Sequence, residues 1–290
     1  MEKFSVYVPK LLPKQENFIV GRRSCRGCGK ALAIRFAAKA MAECGALIKT
    51  DNKPQATGYA WDDMEFPSLV GSVVNSVRKS VKGSSYKKPA IAIDMKAFDG
   101  SLVALQSMLE KAEDILVILY DNEKYMDTII METKPLPFGI EYHHHAPGAR
   151  EVRFALESRN LFNFAEKLSL SYAASSSIAY PFDLVDKVKR GLKIKGTAVV
   201  HVNSPCPTGW MFAPADTVKL GALAVESGFN PVWEYKDEKF ALNMAARKSE
   251  SVKEYVRAQK RYRYMSDAFI ETLNEAVSIE FEKLQKLCGK

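Results

Sequence analysis

Long apolar runs are missing from this sequence. The longest, Ile115 to Tyr120, is far shorter than the roughly 20 residues a membrane-spanning helix needs, and it suits a buried strand instead. Cysteine is scarce: Cys25, Cys28, Cys44, Cys206 and Cys288 make five. An odd handful of thiols excludes a disulfide scaffold and leaves metal binding, redox chemistry or simple burial. Glycine (16) and proline (13) are too few for a collagen-like or low-complexity chain. No internal repeat is present. The stretch Met1 to Ser5 lacks the charged-then-apolar order of a secretion signal, so the expected location is the cytoplasm. What is present is an ordinary globular balance, 47% hydrophobic and 26% charged over 290 residues, enough to bury a substantial core. The 42 Lys and Arg outnumber the 34 Asp and Glu, for a net charge of +8. That excess favours an acidic partner without choosing among nucleic acid, anionic membrane and protein.

Three short apolar runs read as buried parallel strands: Ala90 to Ile93, Ile115 to Tyr120, and Thr197 to Val202. Helical patterns lie between them. Lys30 to Glu43 places Arg35, Lys39 and Glu43 on one face and Leu32, Phe36 and Ala40 on another. Ser101 to Glu113 and Asp183 to Leu192 follow the same pattern, Asn203 to Pro214 reads as a loop, and Ser249 to Lys290 reads as charged helix. Alternating strands and helices predict an α/β fold with a mostly parallel sheet flanked by helices. Asp94 follows the first run, Asp121-Asn122-Glu123 the second, and Cys206-Pro207-Thr208-Gly209 comes just beyond the third. Ligand crevices in open α/β sheets lie outside the carboxyl ends of the strands, so these groups mark the expected site.

Two constellations there can carry chemistry. Cys25-Arg26-Gly27-Cys28-Gly29 is a CxxCG turn entering a helix. Its thiolates can hold one metal or one corner of an iron–sulfur cluster, with Cys206 as the candidate third ligand. The alternative is that these are ordinary reduced cysteines, as Cys44 and Cys288 are taken to be. Asp94 and Asn122, with the Lys124 carbonyl, offer the oxygen ligands that a Mg²⁺ ion holding a diphosphate requires. Against that, Asp and Asn at strand ends are common turn and cap residues.

Four stretches in this order resemble the β subunits of 2-oxoacid:ferredoxin oxidoreductases, the pyruvate type above all. They are CRGCG, Tyr120-Asp121-Asn122-Glu123-Lys124-Tyr125-Met126, Ser177-Ile178-Ala179-Tyr180-Pro181, and Cys206-Pro207-Thr208-Gly209-Trp210. The likeness continues through Leu223 to Gly228 and Val252 to Tyr255. It implies a thiamine diphosphate-binding α/β domain over 1–248 and a helical extension over 249–290 that packs on the domain or on a partner. It also implies thiamine diphosphate, Mg²⁺ and a [4Fe-4S] cluster. The implied reaction is oxidative decarboxylation of a 2-oxoacid, with electrons passing to ferredoxin and the acyl group to coenzyme A. Alpha, gamma and delta-type subunits are the implied partners, and the positive charge suits an acidic ferredoxin or sister subunit.

The departures from the family pattern are equally specific. Its Gly-Asp-Gly reads Ile93-Asp94-Met95 here, which removes two glycines that let backbone approach the diphosphate; Lys96 is the candidate compensating phosphate contact. Its third cluster cysteine reads Tyr59, leaving three thiolates in family positions. Its Asn-Thr-Gly reads Asp127-Thr128-Ile129, so the group expected nearest the reacting thiamine is the Asp127 carboxylate. These changes also raise an alternative: a divergent paralogue that has lost its cluster, with or without its thiamine site, and serves as a structural subunit. His143-His144-His145 are expected to be loop residues, because consecutive side chains rarely converge on one ion. Lys260-Arg261-Tyr262-Arg263-Tyr264 interleaves cations with aromatics as a single-strand platform would; the resemblance favours a subunit-contact helix, with neither nucleic acid nor membrane as partner. Trp210 is read as a packing residue or a cluster shield.

Overall fold

The computed structural model describes residues 12, 25–43, 88, 90–95, 109, 114–123, 131–136, 139–144, 147–165, 167, 170–243 and 250–289. A six-stranded sheet organises them, in the order β1-β2-β6-β5-β7-β8. Strands β1 (Ala90–Asp94), β2 (Leu116–Asp121), β5 (Tyr172–Ser177) and β6 (Ala198–Asn203) run parallel. Strands β7 (Trp233–Lys236) and β8 (Lys239–Leu242) add an antiparallel edge. Strands β3 (Met131–Leu136) and β4 (Gly139–His144) pair separately. The expected α/β class with a mostly parallel sheet is the one found.

Every residue of β2, β5 and β6 is buried, as befits parallel strands covered on both faces. Alternation decides which face each side chain serves. Leu116, Ile118, Tyr120, Val200 and Val202 join one apolar cluster with α1 (Gly29–Glu43) and α3 (Pro181–Lys193). Val117, Leu119 and Val199 join a second cluster with Leu161, Phe162 and Trp233. A third cluster lies beyond the sheet. It unites α2 (Ala149–Arg159), α4 (Pro207–Trp210), α5 (Thr217–Glu226), α6 (Glu250–Arg257) and α7 (Asp267–Leu287) through Leu156, Trp210, Leu223, Tyr255 and Phe269.

Several expectations shift. The three apolar runs are strands, with the second and third displaced by one residue so that Asp121 and Asn203 close them. Strand β5 escaped notice because Ala173, Ala174 and the three serines carry little apolar signal. Small side chains are needed there: a Cβ on Gly221 would stand 2.9 Å from the Ser177 hydroxyl, so α5 passes close to the strand. The β7–β8 turn was also illegible, because Asp237 and Glu238 both take left-handed φ (50° and 58°) without the usual glycine. Lys39, assigned to the charged face of α1, is buried.

His143 and His144 belong to β4 rather than to a loop; His145 lies outside the described residues. Ser101 to Glu113 also lies outside them, except for the buried Leu109. Asn203 to Pro214 holds one helical turn, α4. The C-terminal segment is not one helix. It breaks after Arg257 and restarts at Asp267, where the Ser266 hydroxyl accepts the Phe269 N–H at 3.2 Å.

Helix α3 is tied to the sheet by a buried cation. Lys187 has no exposed surface; its ammonium donates to the Ser175 carbonyl (2.7 Å) and to Asp183 (3.0 Å), which also accepts from Ser176 (2.6 Å). Removing one member of a buried pair strands the other charge, whereas replacing both with apolar residues is far milder. Lys187→Met is therefore expected to cost about 3–5 kcal/mol in denaturant unfolding, and Lys187→Met with Asp183→Leu to recover most of that loss.

Candidate functional site

The parallel register gathers the strand ends onto one edge: Asp94 pairs with Tyr120, Asp121 with Asn203, and Ser177 with Asn203. The chain must turn sharply after β2, and Asp121 makes it do so. Its Oδ1 accepts the Glu123 N–H at 2.7 Å, a side-chain turn of the Asx kind. Glu123 then takes a left-handed φ of 54°, uncommon for a residue with a Cβ and retained here by what surrounds it.

Both acids are buried and both are answered. Asp121 Oδ2 lies 3.2 Å from Arg159 Nε and 2.9 Å from His201 Nε2. Glu123 Oε1 accepts the Tyr255 hydroxyl at 2.7 Å and the Asn203 amide at 3.2 Å. Its Oε2 accepts Arg261 Nη2 at 2.8 Å, and its own carbonyl accepts Nη1 of the same guanidinium at 3.3 Å. Burial on its own would raise the Asp121 pKa, but the Arg159 charge and the His201 hydrogen bond outweigh it and hold the carboxyl well below the usual range. Glu123 is pushed up, by burial first and by the Asp121 charge beside it.

Asp121 and Glu123 are consequently anchors of the turn, a role the linear sequence did not reveal. The partners of Glu123 arrive from 132 and 138 residues downstream, and no local pattern announces such pairings. Residues 260–262 form a 3-10 turn rather than a longer helix; Arg261 and Tyr262 are buried within this chain, while Lys260, Arg263 and Tyr264 are exposed. Asn122, between the two acids, stays half-buried, and its carbonyl accepts the Trp210 indole N–H at 2.6 Å. Arg261 lies over the indole face at 4.3 Å. Met95 leans on the second apolar cluster, so its side chain is engaged by the core. Tyr59, Lys96, Lys124 and Asp127 lie outside the described residues, as does the side chain of Asp94.

The CxxC turn docks on the loop after β6. Cys28 N–H bonds to the Cys25 carbonyl (3.2 Å), and Gly29 N–H bonds to the Pro205 carbonyl (3.1 Å). Gly27 takes a φ of +68° under Pro214, and a Cβ at Gly29 would fall 2.5 Å from the Pro205 oxygen; both positions need glycine. The Thr217 hydroxyl donates to the Gly27 carbonyl at 2.7 Å. Cys206 caps α4, its sulfur accepting the Gly209 N–H at 3.3 Å. Burial, with a further contribution from Cys206, raises the Cys28 thiol.

Cys28 and Cys206 are thus brought together, while Cys25 is exposed and Cys288 packs against the second cluster. Cys44 lies outside the described residues. Among the described residues no group of three or more His, Cys, Asp or Glu side chains closes into a metal-binding set.

Two outcomes follow. Stability supplied by Asp121 is complete above the unfolded carboxyl value of about 3.9 and is lost as pH falls toward its lower folded value. Asp121→Asn should lower the melting temperature at pH 7 and flatten its decline between about pH 4 and pH 2. In timed alkylation read by mass spectrometry, Cys25 should be modified well before Cys28, whose thiolate is disfavoured.

No family model matches the chain. The ketoisovalerate oxidoreductase subunit VorB of Pyrococcus abyssi is 33% identical over 296 residues, covering 95% of this chain and 94% of its own length. The pyruvate synthase subunit PorB of Methanothermobacter thermautotrophicus is 30% identical over 286 residues, covering 94% and 99%. Among solved structures, a 2-oxoglutarate:ferredoxin oxidoreductase from Magnetococcus marinus matches 68% of this chain and 69% of its own at 19% identity, with a TM-score of 0.40. Identity of 33% sustained over nearly the full length of both chains places this chain among the β subunits of the 2-oxoacid:ferredoxin oxidoreductases.

Proposed function

We propose that this chain is the thiamine diphosphate-binding subunit of a cytoplasmic complex that oxidatively decarboxylates a 2-oxoacid of the pyruvate or ketoisovalerate kind. Alpha, gamma and delta-type subunits complete the complex, ferredoxin takes the electrons, and coenzyme A takes the acyl group. The observation that carries the reading is the carboxyl edge. Residue 94 ends β1, beside the strand whose next residue is Asn122. A carboxylate and an amide oxygen at adjacent strand ends are the donors that a Mg²⁺–diphosphate pair takes.

This donor set fits the cofactor. Asp94 and Asn122 would hold Mg²⁺ with the Lys124 carbonyl, Lys96 would meet a phosphate oxygen, and Asp127 would stand nearest the thiazolium. Once bound, the cofactor supplies the nucleophilic carbon and the electron sink that the decarboxylation needs. The protein's part is position. Asp121 and Glu123 fix the turn from which Asn122 projects, so the metal ligand is set before the cofactor arrives. The 1–248 domain and the 249–290 extension work as one unit, because Tyr255 and Arg261 complete the pocket around Glu123.

The family's four-cysteine [4Fe-4S] set does not fit. Cys25, Cys28 and Cys206 are three, Tyr59 stands where another cysteine would, and no three-ligand group closes among the described residues.

Thiamine diphosphate content of the complex, purified anaerobically with its partners, tests the proposal. About one cofactor per chain is expected, and Asn122→Ala should weaken Mg²⁺-dependent retention by roughly tenfold or more, the loss of one metal ligand. A complex that holds none would refute the reading.

A further inference from the structure

We infer that Trp210 is a positioning residue for Asn122, acting through the Asn122 backbone carbonyl; the inference rests on the cofactor site proposed above. Asn122 lies between two buried anchors, and the peptide plane that joins it to Glu123 is pinned from both sides: Asp121 Oδ1 accepts the Glu123 N–H at 2.7 Å. The indole N–H holds that plane at 2.6 Å. A carbonyl that is held restrains the backbone of its residue, and so the direction of the Cα–Cβ bond from which the amide projects.

The indole is itself immobilised. Trp210 has no exposed surface. Arg261 covers its face at 4.3 Å, and Tyr255 meets it edge-on with centroids 6.1 Å apart at 87°. Arg261 and Tyr255 are the same two residues that hold the Glu123 carboxylate. One cation therefore grips the turn twice, directly at Glu123 and through the indole at Asn122. A buried indole N–H takes a partner of some kind, but core packing alone would be served by any carbonyl; this one belongs to the proposed metal ligand.

Trp210 also ends the helical turn that Cys206 begins. This hydrogen bond, with that of the Ser204 N–H to the Asp121 carbonyl at 2.7 Å, joins the loop after β6 to the turn after β2.

The test compares Trp210→Phe with the unaltered chain in the assembled complex. Phenylalanine keeps a ring against Arg261 and loses the N–H. Calorimetric affinity of the cofactor-free complex for thiamine diphosphate with Mg²⁺ should fall by about tenfold, one buried hydrogen bond. KM for the cofactor should rise with it, while kcat at saturating cofactor stays within about twofold. Phe240→Leu, in the second apolar cluster at the far edge of the sheet, should lower the melting temperature without altering cofactor affinity. Should Trp210→Phe not assemble, benzothienylalanine at position 210 replaces the N–H with sulfur in the same outline and should give the same loss. Undiminished affinity in either variant, beside an unaltered complex that binds the cofactor, overturns the inference and leaves the proposed function standing. An unaltered complex that binds none overturns both.

Discussion

A carboxylate buried without solvent imposes demands that the surrounding chain must meet. Glu123 has no exposed surface, and leaving a charge or even an unsatisfied polar group there would cost several kcal/mol. Its oxygens are met by Arg261, Tyr255 and Asn203, from the 3-10 turn after α6, from α6 itself and from the end of β6. Arg159, at the end of α2, serves Asp121 and also reaches the Phe229 carbonyl and the Asn230 side chain. Segments far apart in the chain thus meet at one point, the turn that leaves the sheet's carboxyl edge. The third apolar cluster packs around this polar centre, and Tyr255 belongs to both.

The arrangement separates two tasks that the Asp121-Asn122-Glu123 run appears, as letters, to share. The two acids look like the chemical groups and serve as the frame. The amide between them, the proposed metal ligand, is the residue left partly open. Division of this kind is how a fold can keep a ligand within a fraction of an ångström of its working position: neighbouring side chains with their own partners hold the backbone from which it projects. The cysteine loop follows the same logic. Gly27 and Gly29 are tied to Pro214, Pro205 and Thr217 by backbone approach and hydrogen bonding, while Cys25 is exposed and Cys206 rests against the third apolar cluster.

Departures from the family pattern read differently once placed. Met95 stands where a glycine is usual, and its side chain goes to the second apolar cluster; the change adds packing at a position where the family has an open approach.

The sequence by itself determined the α/β class, the four short stretches that mark the family, the three apolar strands of the sheet and the edge on which Asp94, Asn122 and Cys206 would lie. Those features are legible because periodicity, apolar runs and short motifs are local properties of the chain. Tertiary structure alone decided the rest. It chose Asp121 and Glu123 as anchors, drew Arg261 inward from a stretch that reads as surface, made strand β5 from alanine and serine, and set Trp210 against the Asn122 carbonyl. Each of these depends on a partner brought close by the fold from as many as 138 residues away. The free energy that selects such a pairing is the avoided cost of burying one charge or one N–H alone, and that cost does not exist until the chain has closed around it.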